Sequence, residues 1–176
     1  MSGRVAVRRA TLADLPTITE LRVALLREYG DHPLYGRLRP DVEARAAELY
    51  RAQLSSPAEV VFLAEKHGRV VGLLRCVDSV SSPLLYPDRY CYVSSVYVLP
   101  SERRRGVLRA LYEAAVAWCE ERGLDEMRLH NAASSDTASQ AWEALGFEVV
   151  ELVRRRILHA PMSETPTEPV AHAEAH

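Results

Sequence analysis

The segment from Tyr90 to Arg122 constrains the fold of this chain more than any other. Residues Tyr90–Leu99 alternate aromatic and branched side chains, which predicts a strand, and Pro100 ends that pattern. Apolar side chains with a period of about 3.6 then predict a long helix over Arg104–Arg122, with Gly123 as its left-handed cap. A strand, a sharp stop and a helix therefore follow each other closely, with a basic loop between them.

That loop carries three consecutive arginines, Arg103 to Arg105, followed by Gly106 at the mouth of the helix. The first turn of a helix has free backbone N–H groups and the positive end of a dipole, and a glycine there has no Cβ to block close approach. Guanidinium groups add charge-assisted hydrogen bonds to phosphate oxygens. Residues Arg103–Leu108 therefore predict a pyrophosphate-binding site, and the alternative is a solvated basic helix start.

The rest of the chain alternates shorter strand and helix patterns. Two β-rich runs flank His67-Gly68, a pair whose glycine can take a positive φ, which predicts a hairpin. Besides Tyr90–Leu99, strands are predicted at Val5–Arg8, Val60–Lys66, Arg69–Val77, Met127–His130 and Phe147–Leu158. Besides Arg104–Arg122, helices are predicted at Leu15–Tyr29, after Pro40 and at Thr137–Leu145.

Composition bounds the domain organisation. The chain has 176 residues, of which 48% are hydrophobic, so it fits a single domain, predicted over residues 1–160. Residues 161–176 contain three prolines and almost no large apolar side chains, which predicts a disordered tail. The net charge of −2 provides no global basic field and argues against nucleic-acid binding.

Other features of the sequence indicate the compartment. No stretch approaches the roughly 20 apolar residues of a membrane span, and the first residues lack the apolar run of a secretory leader. The three cysteines have no metal-ligand spacing and are typical of core residues in a reducing compartment. We therefore expect a cytoplasmic protein with no metal site, no nucleic-acid partner and no membrane partner.

Three segments, in order, resemble the GCN5-related N-acetyltransferase superfamily. Val98-Leu99-Pro100 followed by Arg103–Leu108 is similar to the family's strand ending in Val-x-Pro and its Gln/Arg-x-x-Gly-x-Gly/Ala loop. Residues Val7–Ala10 with Asp14-Leu15 resemble its opening strand and helix start, and Ala141–Phe147 resembles its closing motif. The resemblance implies a mixed α/β fold, with a central, mostly antiparallel sheet of six or seven strands flanked by about four helices.

The resemblance also implies an activity. It implies an enzyme that transfers an acetyl group from acetyl-CoA directly to a primary amine, without a covalent acetyl-enzyme. In the family, the strand before the loop offers backbone groups to the pantetheine arm and the thioester carbonyl, and Val96 to Val98 occupy that place. The implied contacts with acetyl-CoA are Val96, Tyr97, Val98, Arg103, Arg104, Arg105, Gly106, Val107, Leu108 and Arg109. The other implied partner is a small-molecule or peptide amine, and a homodimer is left open.

The match departs from the family pattern at two positions. Leu108 stands where the family has glycine or alanine, and its spacing to Leu111 favours an inward, packed side chain. Trp142 stands where many relatives carry a tyrosine that protonates the departing thiolate. An indole N–H has no useful acidity, so Trp142 is expected to be a core residue rather than a general acid.

No carboxylate occupies the central strand, where many relatives place a general base. The candidates for proton transfer are Tyr97 beside the thioester, Glu102 just past the strand, and Glu28 in the region that lines the acceptor pocket. Asp31 and His32 belong to the same region. Each also has a structural interpretation as a surface charge, a turn residue or a half-buried strand aromatic.

Two polar residues follow the predicted strand Met127–His130. Relatives often place an asparagine near the pantetheine, and either Asn131 or Ser135 fits that position, depending on the length of the intervening loop. Helix capping by Ser135 is the alternative.

Two rivals to the enzyme stay open on the sequence. One is a non-catalytic acyl-CoA-binding or regulatory module of the same fold, because the tyrosine is missing and no base is obvious. The other is a structural or interaction protein that has lost the cofactor site. The sequence does not identify the acceptor amine, because acceptor pockets of such folds are built from variable loops.

Overall fold

A computed structural model describes residues 4–158 and contains one five-stranded sheet. Neighbouring strands from β1 to β4 are antiparallel, and β5 lies parallel to β4 at the edge of the sheet. The strands are β1 (Ala6–Arg9), β2 (Glu59–Lys66), β3 (Arg69–Val80), β4 (Arg89–Val98) and β5 (Met127–Leu129). The helices are α1 (Leu15–Glu28), α2 (Val42–Leu54), α3 (Val107–Arg122) and α4 (Asp136–Glu143).

Helices cover both faces of the sheet because its central strands are apolar on both sides. In β2, Phe62 points into a core cluster with Leu111 and Trp118 of α3, while Leu63 points into a second cluster with Ile18 of α1 and Tyr50 of α2. Burial on both faces is typical of strands between two helical layers. The mixed fold with four helices and a mostly antiparallel sheet is as predicted. The predicted core cysteines, Cys76, Cys91 and Cys119, are all buried.

The predicted count of six or seven strands is wrong for the described residues, because Phe147–Leu158 forms no strand. The segment has the branched residues that favour β structure, but a strand also needs hydrogen bonds from a neighbouring edge. The two edge strands, β1 and β5, are only four and three residues long and offer little edge. Large side chains of this segment are exposed, among them Val150 at 81% and Leu152 at 69%.

The start of α3 also differs from the prediction. The helix begins at Val107 rather than Arg104, because Arg104 and Gly106 have φ values of 59° and 82°. Both values lie in the left-handed region, which cannot continue a right-handed helix. Gly123 ends α3 at φ 64°, as predicted. Within residues 4–158 no helix has the length and apolarity needed to cross a membrane. The predicted tail, residues 161–176, lies outside the described part of the chain.

Candidate functional site

The strands β4 and β5 pair over a short distance and then separate. Their parallel pairing joins only Cys91–Val93 to Met127–Leu129, so residues Ser94–Val98 have no strand on that side. On the other side, the register with β3 shifts between Leu73 and Arg75, and Ser95 takes a φ of 52°. This bulge turns the unpaired part of β4 toward an open cleft, where its backbone groups are available to a ligand.

The basic loop lies at the end of this cleft, where α3 begins. The bond from Ala110 N–H to the Gly106 carbonyl, at 3.0 Å, is the first of the helix. The N–H groups of Val107, Leu108 and Arg109 therefore have no partner within the helix. A Cβ built on Gly106 would meet no atom within 4 Å, so the space beside this turn is open. Free donors, a helix dipole and exposed arginine side chains form a cradle for an anion.

Leu108 and Trp142 form an apolar wall between this cradle and the core. Leu108 is half-buried against the core cluster on α3, and it also lines the cleft. Trp142 is 8% exposed and its ring packs edge-on against Phe147 with centroids 5.3 Å apart. Both side chains pack as expected from the sequence, so Leu108 does not fill the space beside Gly106.

The two polar residues after β5 are engaged in local structure. Asn131 Nδ2 donates to Ser139 Oγ at 3.1 Å and to the Ala132 carbonyl at 3.2 Å. Ser135 caps α4, because its Oγ accepts a hydrogen bond from the Ala138 N–H at 3.3 Å. Both residues line the cleft, so each is in reach of a ligand there while it supports the loop.

A single cavity of about 570 Å³ joins the cleft to a pocket between α1, α2 and β4. Its walls include residues Val96–Val98, Arg103 and Arg104 at one end and Arg22, Tyr50 and Gln53 at the other. The strand β4 runs along the boundary between the two ends. A ligand held by the loop and a second ligand in the pocket would meet at β4.

Glu28, Tyr97 and Arg103 come together at this boundary. Arg103 Nη2 donates to both carboxylate oxygens of Glu28, at 2.7 and 2.8 Å, and its Nε donates to the Val98 carbonyl at 2.9 Å. Tyr97 Oη donates to Glu28 Oε1 at 3.0 Å. Burial raises the pKa of Tyr97, and the Glu28 carboxylate raises it further, so the phenol is protonated at neutral pH. The Glu28 carboxylate therefore accepts hydrogen bonds from a protonated phenol and from a guanidinium group.

Glu102 has a different environment. Its carboxylate accepts a hydrogen bond from Lys66 Nζ at 2.7 Å, and Lys66 is 5% exposed. This ion pair lowers the pKa of Glu102. A carboxylate with a lowered pKa that neutralises a buried lysine is suited to holding structure rather than to taking up protons.

Several residues of the cavity were not identified from the sequence. Arg22, Tyr50 and Gln53 line its far end, and Tyr92 Oη lies 2.9 Å from His130 Nδ1 where β4 and β5 separate. The helical spacing that included Ala46 could have marked Tyr50, four residues later, as an inward residue. No pattern in the sequence marks the other residues as neighbours.

Comparison with known proteins is consistent with this geometry. The model of the acetyltransferase (GNAT) family matches residues 21–147. An aminoglycoside N(6')-acetyltransferase type 1 of Klebsiella aerogenes is 28% identical over 112 residues, which are 64% of this chain and 74% of that protein. An uncharacterised N-acetyltransferase of Escherichia coli strain K12, YjgM, is 29% identical over 146 residues, 82% of this chain and 83% of that protein. A predicted acetyltransferase from Clostridium acetobutylicum, crystallised with acetyl-CoA, has the same fold, with a TM-score of 0.72, 18% identity and coverage of 88% and 97% of the two chains.

Proposed function

This chain belongs to the GNAT acetyltransferase family, and from that premise we propose that it transfers an acetyl group from acetyl-CoA directly to a primary amine. The observation that carries the proposal is that the anion cradle at Gly106 and the unpaired edge of β4 open into one cavity. The cradle suits a pyrophosphate, and the strand edge suits a pantetheine arm. The structural relative from Clostridium acetobutylicum was crystallised with acetyl-CoA.

We propose that the loop and the unpaired edge of β4 bind acetyl-CoA. Backbone N–H groups of Gly106, Val107, Leu108 and Arg109 would bind the pyrophosphate, with Arg104 and Arg105 adding charge. Backbone groups of Val96 to Val98 would hold the pantetheine and the thioester carbonyl. A donor aimed at that carbonyl stabilises the negative charge that develops on its oxygen during attack. Asn131 and Ser135 lie at the edge of the same cleft.

The reaction moves one proton from nitrogen to sulfur. The neutral amine nitrogen attacks the thioester carbon, a C–N bond forms, and the C–S bond breaks. Glu28 takes the proton released by nitrogen, and Tyr97, which donates a hydrogen bond to Glu28, passes its own proton to the thiolate and is reprotonated through Glu28. An acceptor that arrives as an ammonium ion loses one further proton to solvent before attack. Glu102 takes no part, because it neutralises Lys66, whose side chain is 4% exposed, whereas the partner of Glu28, Arg103, is 42% exposed and its charge is screened by solvent.

A panel of amines assayed for free thiol tests this proposal. The panel would contain amino acids, amino acid amides, polyamines, aminoglycosides and a peptide with a free N-terminus. We expect release of CoA thiol that requires both the enzyme and an amine. If the protein binds acetyl-CoA and releases no thiol with any amine, it is the non-catalytic binding module. If acetyl-CoA at 100 times its expected dissociation constant leaves the melting temperature unchanged, the cofactor site itself is absent, since such binding stabilises by about 2.7 kcal/mol.

We also propose that the protein is a homodimer that buries the exposed segment 148–158. Contiguous exposed apolar side chains usually mark an interaction site, and six of them lie in this segment: Val149, Val150, Leu152, Val153, Ile157 and Leu158. Light scattering after size exclusion should give twice the mass of the chain. The variant Leu152→Arg should be monomeric, whereas the control Leu12→Arg, at an isolated leucine that is 56% exposed, should stay dimeric. A monomeric wild type at tens of micromolar would contradict the proposal.

The remaining proposals concern organisation and location. We propose that residues 1–160 form one acetyltransferase domain, since the family match and both core clusters fall inside that range. We propose a cytoplasmic location, which the three free cysteines of the described residues support.

A further inference from the structure

The far end of the cavity is positively charged and contains polar groups without partners. Four arginines and two glutamates line the cavity, and both glutamates are already neutralised, Glu28 by Arg103 and Glu102 by Lys66. Among the charged side chains of α1, Arg27 pairs with Glu43 and Glu28 with Arg103, whereas Glu20 and Arg22 make no ion pair within residues 4–158. Glu20 is exposed and does not line the cavity, but Arg22 does. Among the described residues, no carboxylate is free at this end of the cavity to receive a polycationic ligand.

The environment of Arg22 is suited to an anionic group. Arg22 is half-buried and lines the cavity, six residues before Glu28, so their Cα atoms are about 9 Å apart along the axis of α1. The second arginine of the pocket, Arg75, already binds Glu59 at 2.6 Å and Ser94 Oγ at 2.9 Å. Arg22 therefore supplies the uncompensated positive charge, and a guanidinium has the geometry to bind a carboxylate through two parallel hydrogen bonds.

Tyr50 adds a hydrogen-bond donor beside this charge. The residue is 1% exposed, and its Oη makes no hydrogen bond with the described residues. The nearby Ser95 hydroxyl lowers the pKa of Tyr50, but it lies outside hydrogen-bond geometry from Tyr50 Oη. Burial raises the pKa of Tyr50, although the charges of Arg22 and Arg75 oppose the rise, so the group is a protonated donor in a positive potential. A buried hydroxyl without a partner destabilises the folded protein, and a hydrogen bond to a ligand oxygen would offset that cost.

Gln53 supplies the complementary acceptor. It lies three residues after Tyr50, on the same face of α2, and its Oε1 is buried without a partner among the described residues. A carbonyl oxygen of this kind requires an N–H or O–H donor. Two donors and one acceptor thus face the same end of the cavity, next to the bulge of β4 at Ser95.

From these contacts we infer that the acceptor is a compact amine that carries a carboxylate, of which an α-amino acid is the simplest example, bound by Arg22 and Tyr50 with an N–H group on Gln53. The inference rests on the proposed function, because it names the acceptor of the same reaction. The curated relative from Klebsiella aerogenes is an aminoglycoside N(6')-acetyltransferase, and an aminoglycoside is a polycation. Arg22 would repel such an acceptor.

The test uses matched pairs, each an α-amino acid and its primary amide, with kanamycin as the polycation. The side chains of the pairs should be small, acidic, basic and aromatic, and both thiol release and equilibrium binding to the full chain in the presence of CoA should be measured. The wild type should bind and acetylate the acids at least tenfold better than their amides. The variant Arg22→Gln should lose this preference through a higher KM for the acid, with kcat for the amide and the affinity for acetyl-CoA unchanged within about threefold.

The control variant Arg27→Gln removes a charge from the same helix that is already paired with Glu43, and it should keep the preference for acids. Equal use of acid and amide, a preference for kanamycin, failure of every acid to bind, or an unchanged preference in Arg22→Gln would each overturn the inference. Failure of the proposed function gives a different result, in which no amine releases thiol. Binding of the acids can still be measured in that case. Weaker binding of the acids by Arg22→Gln than by the wild type would support the inference without any turnover, and equal binding would overturn it.

Discussion

Gly106→Asp is expected to weaken acetyl-CoA binding at least 100-fold, the largest effect of any single substitution in the loop. The side chain has space, since no atom lies within 4 Å of a Cβ at this position. Its carboxylate would lie beside the free N–H groups of α3 and would take the place of the pyrophosphate while repelling it. A like-charge contact of this kind costs several kcal/mol, and each 1.4 kcal/mol is a factor of ten in the dissociation constant. Isothermal titration calorimetry with acetyl-CoA measures the loss.

The matched control is Gly106→Asn. Asparagine has the same shape without the charge and tolerates the left-handed φ of 82° better than most residues. Its dissociation constant should stay within about tenfold of the wild type. If both variants are folded and weaken binding equally, the loss comes from the backbone rather than from charge. If the aspartate variant binds as the wild type does, the loop does not hold the pyrophosphate.

Glu28→Gln is expected to lower kcat about 100-fold, the usual scale of the contribution of a general base. Glutamine keeps the size of the side chain and can still accept the hydrogen bonds of Tyr97 and Arg103, but it cannot take a proton. The affinity for acetyl-CoA should therefore change by less than about threefold. Steady-state kinetics with a saturating amine, together with calorimetry, separates the two quantities.

The same chemical change at Glu102 is the control. Glu102→Gln leaves Lys66, which is 5% exposed, without its counter-ion, so the melting temperature should fall while kcat stays within about threefold of the wild type. A loss of kcat in Glu102→Gln that equals the loss in Glu28→Gln would contradict the assignment of the base. The assignment would also be contradicted if Glu28→Gln lost only affinity for acetyl-CoA, because Glu28 would then act by positioning Arg103.

The part of the site that could be predicted from the sequence is the part built by neighbours along the chain. Pro100 ends a strand and Gly106 takes a positive φ for reasons that lie in those residues themselves. The loop and the edge of β4 therefore appear at their predicted places. Even there, the boundary of α3 shifted by three residues, because the left-handed φ of Arg104 depends on the whole turn.

The proton-transfer cluster and the acceptor pocket depend on contacts that are distant in sequence. Glu28 and Arg103 are 75 residues apart, and they meet because α1 packs across the face of the sheet beside β4. The sequence alone does not distinguish Glu28 from Glu102 as the general base. The packing does, because the buried Lys66 of β2 neutralises Glu102. In segment 147–158 the local sequence favours a strand, but none forms, because no partner edge lies beside the segment in the described chain.

The central claim is direct transfer of acetyl from acetyl-CoA to nitrogen through the cavity at β4. The most direct test is the molar ratio of CoA thiol released to N-acetylated amine formed, measured by mass spectrometry in the same reaction mixture. We predict one N-acetylated product for each thiol, formed by the wild type and nearly absent with Gly106→Asp at the same acetyl-CoA concentration. Thiol release without an acetylated amine, or acetyl-CoA binding with neither product, would contradict the claim.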